Sequence, residues 1–327
     1  MSNPQDIFTP DQLVQLELDL IAILRAQGML IEEIKLIGLK GAGDSSTVFA
    51  VLIDDVHHVL KVYRSKEAYT REIKHLRRQI PHDRFLFVWP ARKNRFNYSI
   101  VVIEVPDGLQ MHERMLTPLV AEQLGDTLIT LHSLQYKKHV TVPEITRYFE
   151  EARSWATKHG ELFPELGRAR VAAAIDSGIA YTHRHAKQLR VPKSRTHNDL
   201  WWANVIVAEE DVYLIDWENL GRDDYCKDLA FFRIMTNYER TAAPVSMWDE
   251  DVDNNLIDTF MDPILERYEN TFEDEFFWQR YGLYALQQAS LNFARAVYGD
   301  RRGARRAGNI MLTGIRLFED HCLATDS

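Results

Sequence analysis

His197-Asn198-Asp199-Leu200-Trp201-Trp202-Ala203-Asn204, followed about a dozen residues later by Ile215-Asp216-Trp217-Glu218, gathers a carboxylate, a carboxamide and a second carboxylate in one short stretch. These are the groups that phosphoryl transfer from ATP uses: Asp199 to orient an attacking hydroxyl, Asn204 and Asp216 to hold Mg²⁺. An isolated His-x-Asp is as readily a buried structural pair. The added Asn and Asp at these spacings favour the chemical reading, with His197 a hydrogen-bonding prop for the loop rather than a base.

The flanking residues explain how such groups would be positioned. Val205-Ile206-Val207 and Val212-Tyr213-Leu214-Ile215 are β-branched and aromatic runs separated by a short polar linker, the pattern of a hairpin. Pairing Val207 with Val212 puts Asn204 opposite Ile215 and diagonal to Asp216, within reach of one shared ion. Both are hard oxygen donors, and no Cys/His cluster with zinc spacing occurs in the chain. Mg²⁺ or Mn²⁺ therefore fits better than a softer metal.

Further groups of the same kind lie upstream. Leu36 to Val51 reads as strand, loop, strand, with Gly41, Gly43, Ser45 and Ser46 in the loop. Glycines allow backbone to approach phosphate oxygens, and the serines can donate to them. An ordinary hairpin turn uses the same glycines, and no Gly-Lys-Ser/Thr follows to make a Walker loop. Val59 to Tyr63 is an apolar strand with Lys61 inside it, and Glu67 to Leu76 reads as a helix ending before Pro81. Glu72 on that helix falls where an acidic partner can fix Lys61 against the α- and β-phosphates, although an alternating strand lysine can also simply face water.

With these pieces in view, the chain from about Leu36 to Ala230 resembles the aminoglycoside phosphotransferase and choline kinase family. His197 to Asn204, Ile215 to Glu218 and Asp228-Leu229-Ala230 carry the resemblance. It implies an α+β, two-lobed protein-kinase-like fold, with a small antiparallel-sheet N-lobe and a larger, mainly helical C-lobe. It implies ATP (GTP not excluded) and Mg²⁺ as cofactors. Asp199 would be the base, Asn204 and Asp216 metal ligands, Lys61 and Glu72 an ion pair, Glu218 an aid to a second metal ion, and the backbone at Glu104 and Val105 the contact for adenine. Asn198 and Glu218 lean toward the choline kinase side, since many antibiotic kinases of this type carry Gly at the position of Asn198. Protein kinases differ: no arginine precedes Asp199, Trp217-Glu218 replace Phe-Gly, and no Ala-Pro-Glu follows Asp228. These departures argue against phosphorylation-gated protein kinase activity.

The apolar strand Ile100 to Val105 ends in Pro106-Asp107-Gly108, which sets an expected boundary between residues 1–105, a nucleotide-binding lobe with a leading helix, and 106–327, a catalytic and substrate-binding lobe. Thr9-Pro10-Asp11-Gln12 gives the leading helix its cap, and Leu13, Leu16, Leu20, Ile23 and Leu24 recur at helical spacing before Gly28. Thr117-Pro118 starts another helix, whose apolar face runs through Leu124, Leu128 and Leu131.

Composition agrees with a cytoplasmic enzyme: 327 residues, 46% hydrophobic and 27% charged, is ordinary globular balance. Cys226 and Cys322 make no disulfide framework, the start of the chain lacks a signal peptide's basic and apolar regions, and no apolar run reaches membrane-spanning length. A net charge of −9 argues against general nucleic-acid binding.

Between Thr241 and Phe277 eleven acidic residues and one arginine are interleaved with Trp248, Phe260, Tyr268, Phe272, Phe276 and Phe277. Carboxylates beside aromatic faces suit a cationic acceptor; solvated helix faces over an aromatic core give the same pattern. Arg301-Arg302-Gly303-Ala304-Arg305-Arg306 reads as a solvated or carboxylate-paired helix face. The expected activity is an ATP- and Mg²⁺-dependent small-molecule kinase whose acceptor is the hydroxyl of an aminoglycoside- or choline-like amino alcohol. The alternatives are a neutral sugar or nucleoside-like alcohol as acceptor, or a nucleotide-binding regulatory protein without turnover.

Overall fold

The computed structural model describes residues 8–26, 28, 30–42, 46–79, 87–104, 109–159, 168–209, 211–240, 254–299 and 301–324. The chain divides into two compact units, Met1–Asp107 with Asp216–Asn219, and Gly108–Ile215 with Leu220–Ser327. No helix among the described residues is long and apolar enough to cross a membrane.

The first unit opens with α1, Pro10–Ala26. Its capping box is reciprocal: Gln12 N donates to Thr9 Oγ1 and Thr9 N to Gln12 Oε1. Gly28, at φ +89°, ends the helix, its N–H donating to Arg25 O. Five antiparallel strands follow: β1 (Ile34–Ala42), β2 (Ser46–Ile53), β3 (Val56–Tyr63), β4 (Phe87–Trp89) and β5 (Ser99–Glu104), in the order β1-β2-β3-β5-β4. Leu16, Leu20 and Leu24 of α1 form one core with Phe49, Val51, Leu60, Val62, Ile100 and Val102. Strand alternation then sends Lys61 and Tyr63 of β3 to the opposite face. Helix α2 (Lys66–Gln79), capped by Ser65 Oγ, buries Ala68, Glu72 and Ile73.

Helices dominate the second unit: α3 (Pro118–His132), α4 (Val142–His159), α5 (Arg168–Arg184), α6 (Tyr225–Arg240), α7 (Asn254–Phe272), α8 (Phe277–Gly299) and α9 (Arg301–Phe318). Thr117 Oγ1 caps α3 by accepting from Val120 N, and Leu124, Leu128 and Leu131 are buried. Two small sheets carry the remaining strands, β6 (Leu109–Gln110), β7 (Gln135–His139), β8 (Pro192–Thr196), β9 (Val205–Val207), β10 (Val212–Leu214) and β11 (Gly221–Asp223). Their orders are β10-β9-β6 and β11-β8-β7. Helix α8 is central, with Leu283, Tyr284, Ala285, Leu286 and Ala289 all buried. Gly314 of α9 lies so close to Ala285 and Ala289 that any side chain there would overlap them.

Where it is described, several residues of the acidic, aromatic stretch serve the fold. Phe260, Tyr268 and Phe277 are buried, Phe272 and Phe277 stack with Tyr225, and Tyr268 is tilted against it. Asp258 binds the buried Arg233 and also Arg316. Asp274 accepts from the Tyr225 hydroxyl and pairs with the buried Arg280. A buried guanidinium needs such partners, so these carboxylates are spent inside the fold. Trp248 and the rest of 241–253 lie outside the described residues, as do the side chains of Arg301 to Arg306.

Candidate active site

In the first unit, the face of β3 turned away from the hydrophobic core presents Lys61. Its Nζ lies 2.9 Å from Glu72 Oε2, 2.6 Å from Asp216 Oδ1 and 3.7 Å from Glu218 Oε2. The expected Lys61–Glu72 pair is thus formed, with both side chains almost wholly buried. One oxygen from each of Glu72, Asp216 and Glu218 falls within 4.8 Å of the others. Asp216 sits at φ +62°, a left-handed conformation that Asp tolerates better than most residues, and Trp217–Asn219 continue as a 3-10 turn.

Burial would lower the Lys61 pKa, but Glu72 and Asp216 outweigh it and leave the ammonium firmly protonated. For Glu72 the balance runs the other way: burial raises its pKa more than Lys61 lowers it. Burial and the neighbouring Glu72 also hold the Tyr63 phenol protonated. Three carboxyl groups thus lie around one ammonium. Hard oxygens at this spacing fit a divalent cation such as Mg²⁺.

In the second unit, β8 runs directly into His197-Asn198-Asp199. Thr196 pairs with Gly221, and the loop beyond is pinned by Asp228 on α6. Asp228 Oδ2 accepts from His197 N at 2.6 Å and Oδ1 from Asn198 N at 2.8 Å. Asn198 stands at φ +61°, where glycine or asparagine is best tolerated. His197 Nε2 donates to Ile215 O at 2.9 Å, the propping role expected of it. The expected hairpin has the expected register: Val207 opposite Val212, Val205 opposite Leu214, and Ile215 N donating to Asn204 O at 2.9 Å. Asn204 is buried and its Nδ2 donates to Asp199 O at 2.8 Å. Its Oδ1 is thereby kept as the atom with lone pairs for a cation.

The phosphate-loop residues are only partly described. β1 extends through Ala42, with Gly41 opposite Val48 after two irregularities in the register, so Gly41 belongs to the strand rather than to a free loop. Ser46 is a buried β2 residue opposite Tyr63. Gly43 and Ser45 fall outside the described residues. Glu104 ends β5 opposite His58, and Val105 lies outside the described residues.

Two residues of the loop's surroundings were not legible as such. His132 closes α3 with its Nε2 3.1 Å from Asp228 Oδ2 and its Nδ1 2.5 Å from the Tyr268 hydroxyl, all three side chains being buried. The available signal was one polar residue, His132, directly after Leu131 on an apolar helix face. Tyr268 carried none beyond its aromatic neighbours.

An antiparallel five-stranded unit and a mainly helical unit are the parts of a kinase-like fold, the first carrying Lys61, Glu72 and Asp216 and the second Asp199 and Asn204. The chain belongs to the phosphotransferase enzyme family APH, whose family model matches residues 39–262. A choline kinase from Cryptosporidium parvum Iowa II is similar in fold, with a TM-score of 0.61 at 12% identity, over 92% of this chain and 95% of that one. An ethanolamine kinase from Plasmodium vivax gives a TM-score of 0.57 at 13% identity, over 87% of this chain and 83% of that one. A spectinomycin phosphotransferase in complex with ADP and spectinomycin gives 0.54 at 15% identity, over 93% of both chains. In sequence, a LicA homolog of Metamycoplasma hominis is 28% identical over 126 residues, 38% of this chain. The match spans 46%, about half, of that relative's length.

Proposed function

We propose that this phosphotransferase moves the γ-phosphoryl group of ATP to a hydroxyl of a small amino alcohol, with Mg²⁺ bound. The observation that carries the reading is the buried Lys61 held by Glu72 and Asp216, with Glu218 beside them. Asp216 and Asn204 would hold the metal, and Glu218 a second ion. When bound, Mg²⁺ would neutralise phosphate charge. Lys61 fixes the α- and β-phosphates and is itself fixed by Glu72. Asp199 accepts the proton of the acceptor hydroxyl as the hydroxyl oxygen bonds to the γ-phosphorus and the bridging oxygen leaves with ADP.

The acceptor class rests on likeness to choline and ethanolamine kinases, because Asp258 and Asp274 of the acidic stretch are taken up by structural pairs. The test is a nucleotide-consumption screen with ATP and GTP over amino alcohols, aminoglycosides, sugars and nucleosides, with Mg²⁺ and with a chelator. An amino alcohol giving Mg²⁺-dependent ADP formation is the expected outcome. A sugar or nucleoside as best acceptor would replace the acceptor class. Nucleotide binding without turnover on any acceptor would replace the enzyme with a regulatory protein.

A further inference from the structure

Asp228 is fully buried and accepts from three donors, His197 N, Asn198 N and His132 Nε2. The carboxylate can only accept, so His132 Nε2 must carry a proton. On the other side of the imidazole stands the Tyr268 hydroxyl, itself wholly buried and with His132 as its one hydrogen-bond partner among the described residues. If Nδ1 also carried a proton, the Tyr268 O–H would have no acceptor, and leaving a buried polar hydrogen without a partner is costly. Burial also keeps the Tyr268 phenol protonated, so its hydrogen is always present. Each group in the line therefore has one direction in which to donate.

We infer that Tyr268 and His132 are positioning residues for the catalytic loop: the Tyr268 hydroxyl donates to His132 Nδ1 and fixes the Nε2–H tautomer. His132 Nε2–H then holds the Asp228 carboxylate in the rotation at which its two oxygens receive the amides of His197 and Asn198. The amide of Asn198 belongs to the residue at φ +61°, one position before Asp199. That strained conformation is maintained by the bond to Asp228 Oδ1, and it sets the direction in which Asp199 leaves the backbone. A tyrosine on α7 and a histidine at the end of α3 thus act on Asp199 without touching it. The inference rests on Asp199 serving as the base, as proposed above.

The experiment has a part that needs neither turnover nor a variant. Ring ¹⁵N spectra of the intact protein near neutral pH should show His132 with a pyrrole-like Nε2 and a pyridine-like Nδ1. A doubly protonated ring, or the opposite tautomer, overturns the inference. In Tyr268→Phe, amide hydrogen exchange at His197 and Asn198 should accelerate, while kcat falls about tenfold and the nucleotide KM stays within about twofold. His132→Asn, which keeps a side-chain N–H, should recover part of the kcat lost in His132→Leu. Unchanged exchange and unchanged kcat in Tyr268→Phe would also overturn it. If instead Asp199→Asn kept full turnover, the base assignment would fail while the tautomer and exchange results stood.

Discussion

Two carboxylate clusters, one partly buried in the first unit and one fully buried in the second, settle their charges differently. Around Lys61, the carboxyl groups of Glu72, Asp216 and Glu218 crowd an ammonium. Around Asp228, one carboxylate meets three N–H donors and each oxygen is satisfied. Electrostatics follow: Glu72 is raised above the ordinary carboxylate range, chiefly by burial, whereas Asp228 is lowered because the His132 and backbone hydrogen bonds overcome its burial. Carboxylates gathered around one ammonium suit a ligand that brings more positive charge; a saturated cluster is scaffold. By this criterion the first cluster suits a cationic ligand and the second holds a loop in place.

Replacing Asp199 is the strongest challenge to that division, since the saturated cluster is held to exist for its sake. Asp199→Asn should lower kcat at least about a hundredfold while leaving nucleotide affinity, measured by calorimetry, unchanged. Turnover within threefold of wild type would leave the Asp228 scaffold without a purpose. Lys61→Ala comes next, with a large fall in kcat/KM for ATP, and Glu72→Ala should act in the same direction but less. Their double variant should lose less than the sum, because Glu72 acts through the lysine. Additive losses in steady-state kinetics would mean that the 2.9 Å pair does not work as a unit. Asn204→Ala should shift the Mg²⁺ concentration needed for half-maximal rate upward more than it raises the acceptor KM.

The smallest effect distinguishes the clusters by sign. Asp228, with its lowered folded pKa, contributes stability that is present above its unfolded value of about 3.9 and is lost as pH falls through the folded value. Glu72, with a raised folded pKa, contributes stability that is present below its unfolded value of about 4.3 and lost as pH rises through the folded one. Melting temperatures against pH should therefore show the deficit of Asp228→Asn relative to wild type growing as pH rises out of the acid range. Over the same direction Glu72→Gln should gain on wild type. Parallel curves for the two variants would erase the distinction.

Much of this arrangement is readable in the chain because it depends on local rules. The hairpin register follows from counting back along two β-branched runs, and it places Asn204 next to Ile215 as expected. Capping residues mark α1 and α3, and the period of the leucines gives their buried faces. The pairing of Lys61 with Glu72 is readable because a strand lysine followed by a helix has few acidic partners to choose from. What stays hidden depends on contacts distant in sequence. Tyr268 lies 136 residues from His132, and neither spacing nor period links them. Asp274 and Asp258 look like surface acids until the buried arginines 280 and 233 are placed against them. Acidic composition alone therefore does not separate an acceptor surface from structural ion pairs. The grouping of Asp216–Asn219 with the first unit, away from its sequence neighbours, is likewise a product of the Lys61 contacts.

We propose that Asp216 and Glu218, beside Lys61, receive a divalent cation that arrives with the nucleotide. Calorimetric titration of a non-hydrolysable ATP analogue, with Mg²⁺ and with chelator, into wild type and Asp216→Ala tests it without any acceptor. Mg²⁺ should strengthen binding to wild type by at least about tenfold, as mutual neutralisation of phosphate and carboxylate charge requires, and do little for Asp216→Ala. Equal affinity with and without Mg²⁺ in the wild-type protein would contradict it.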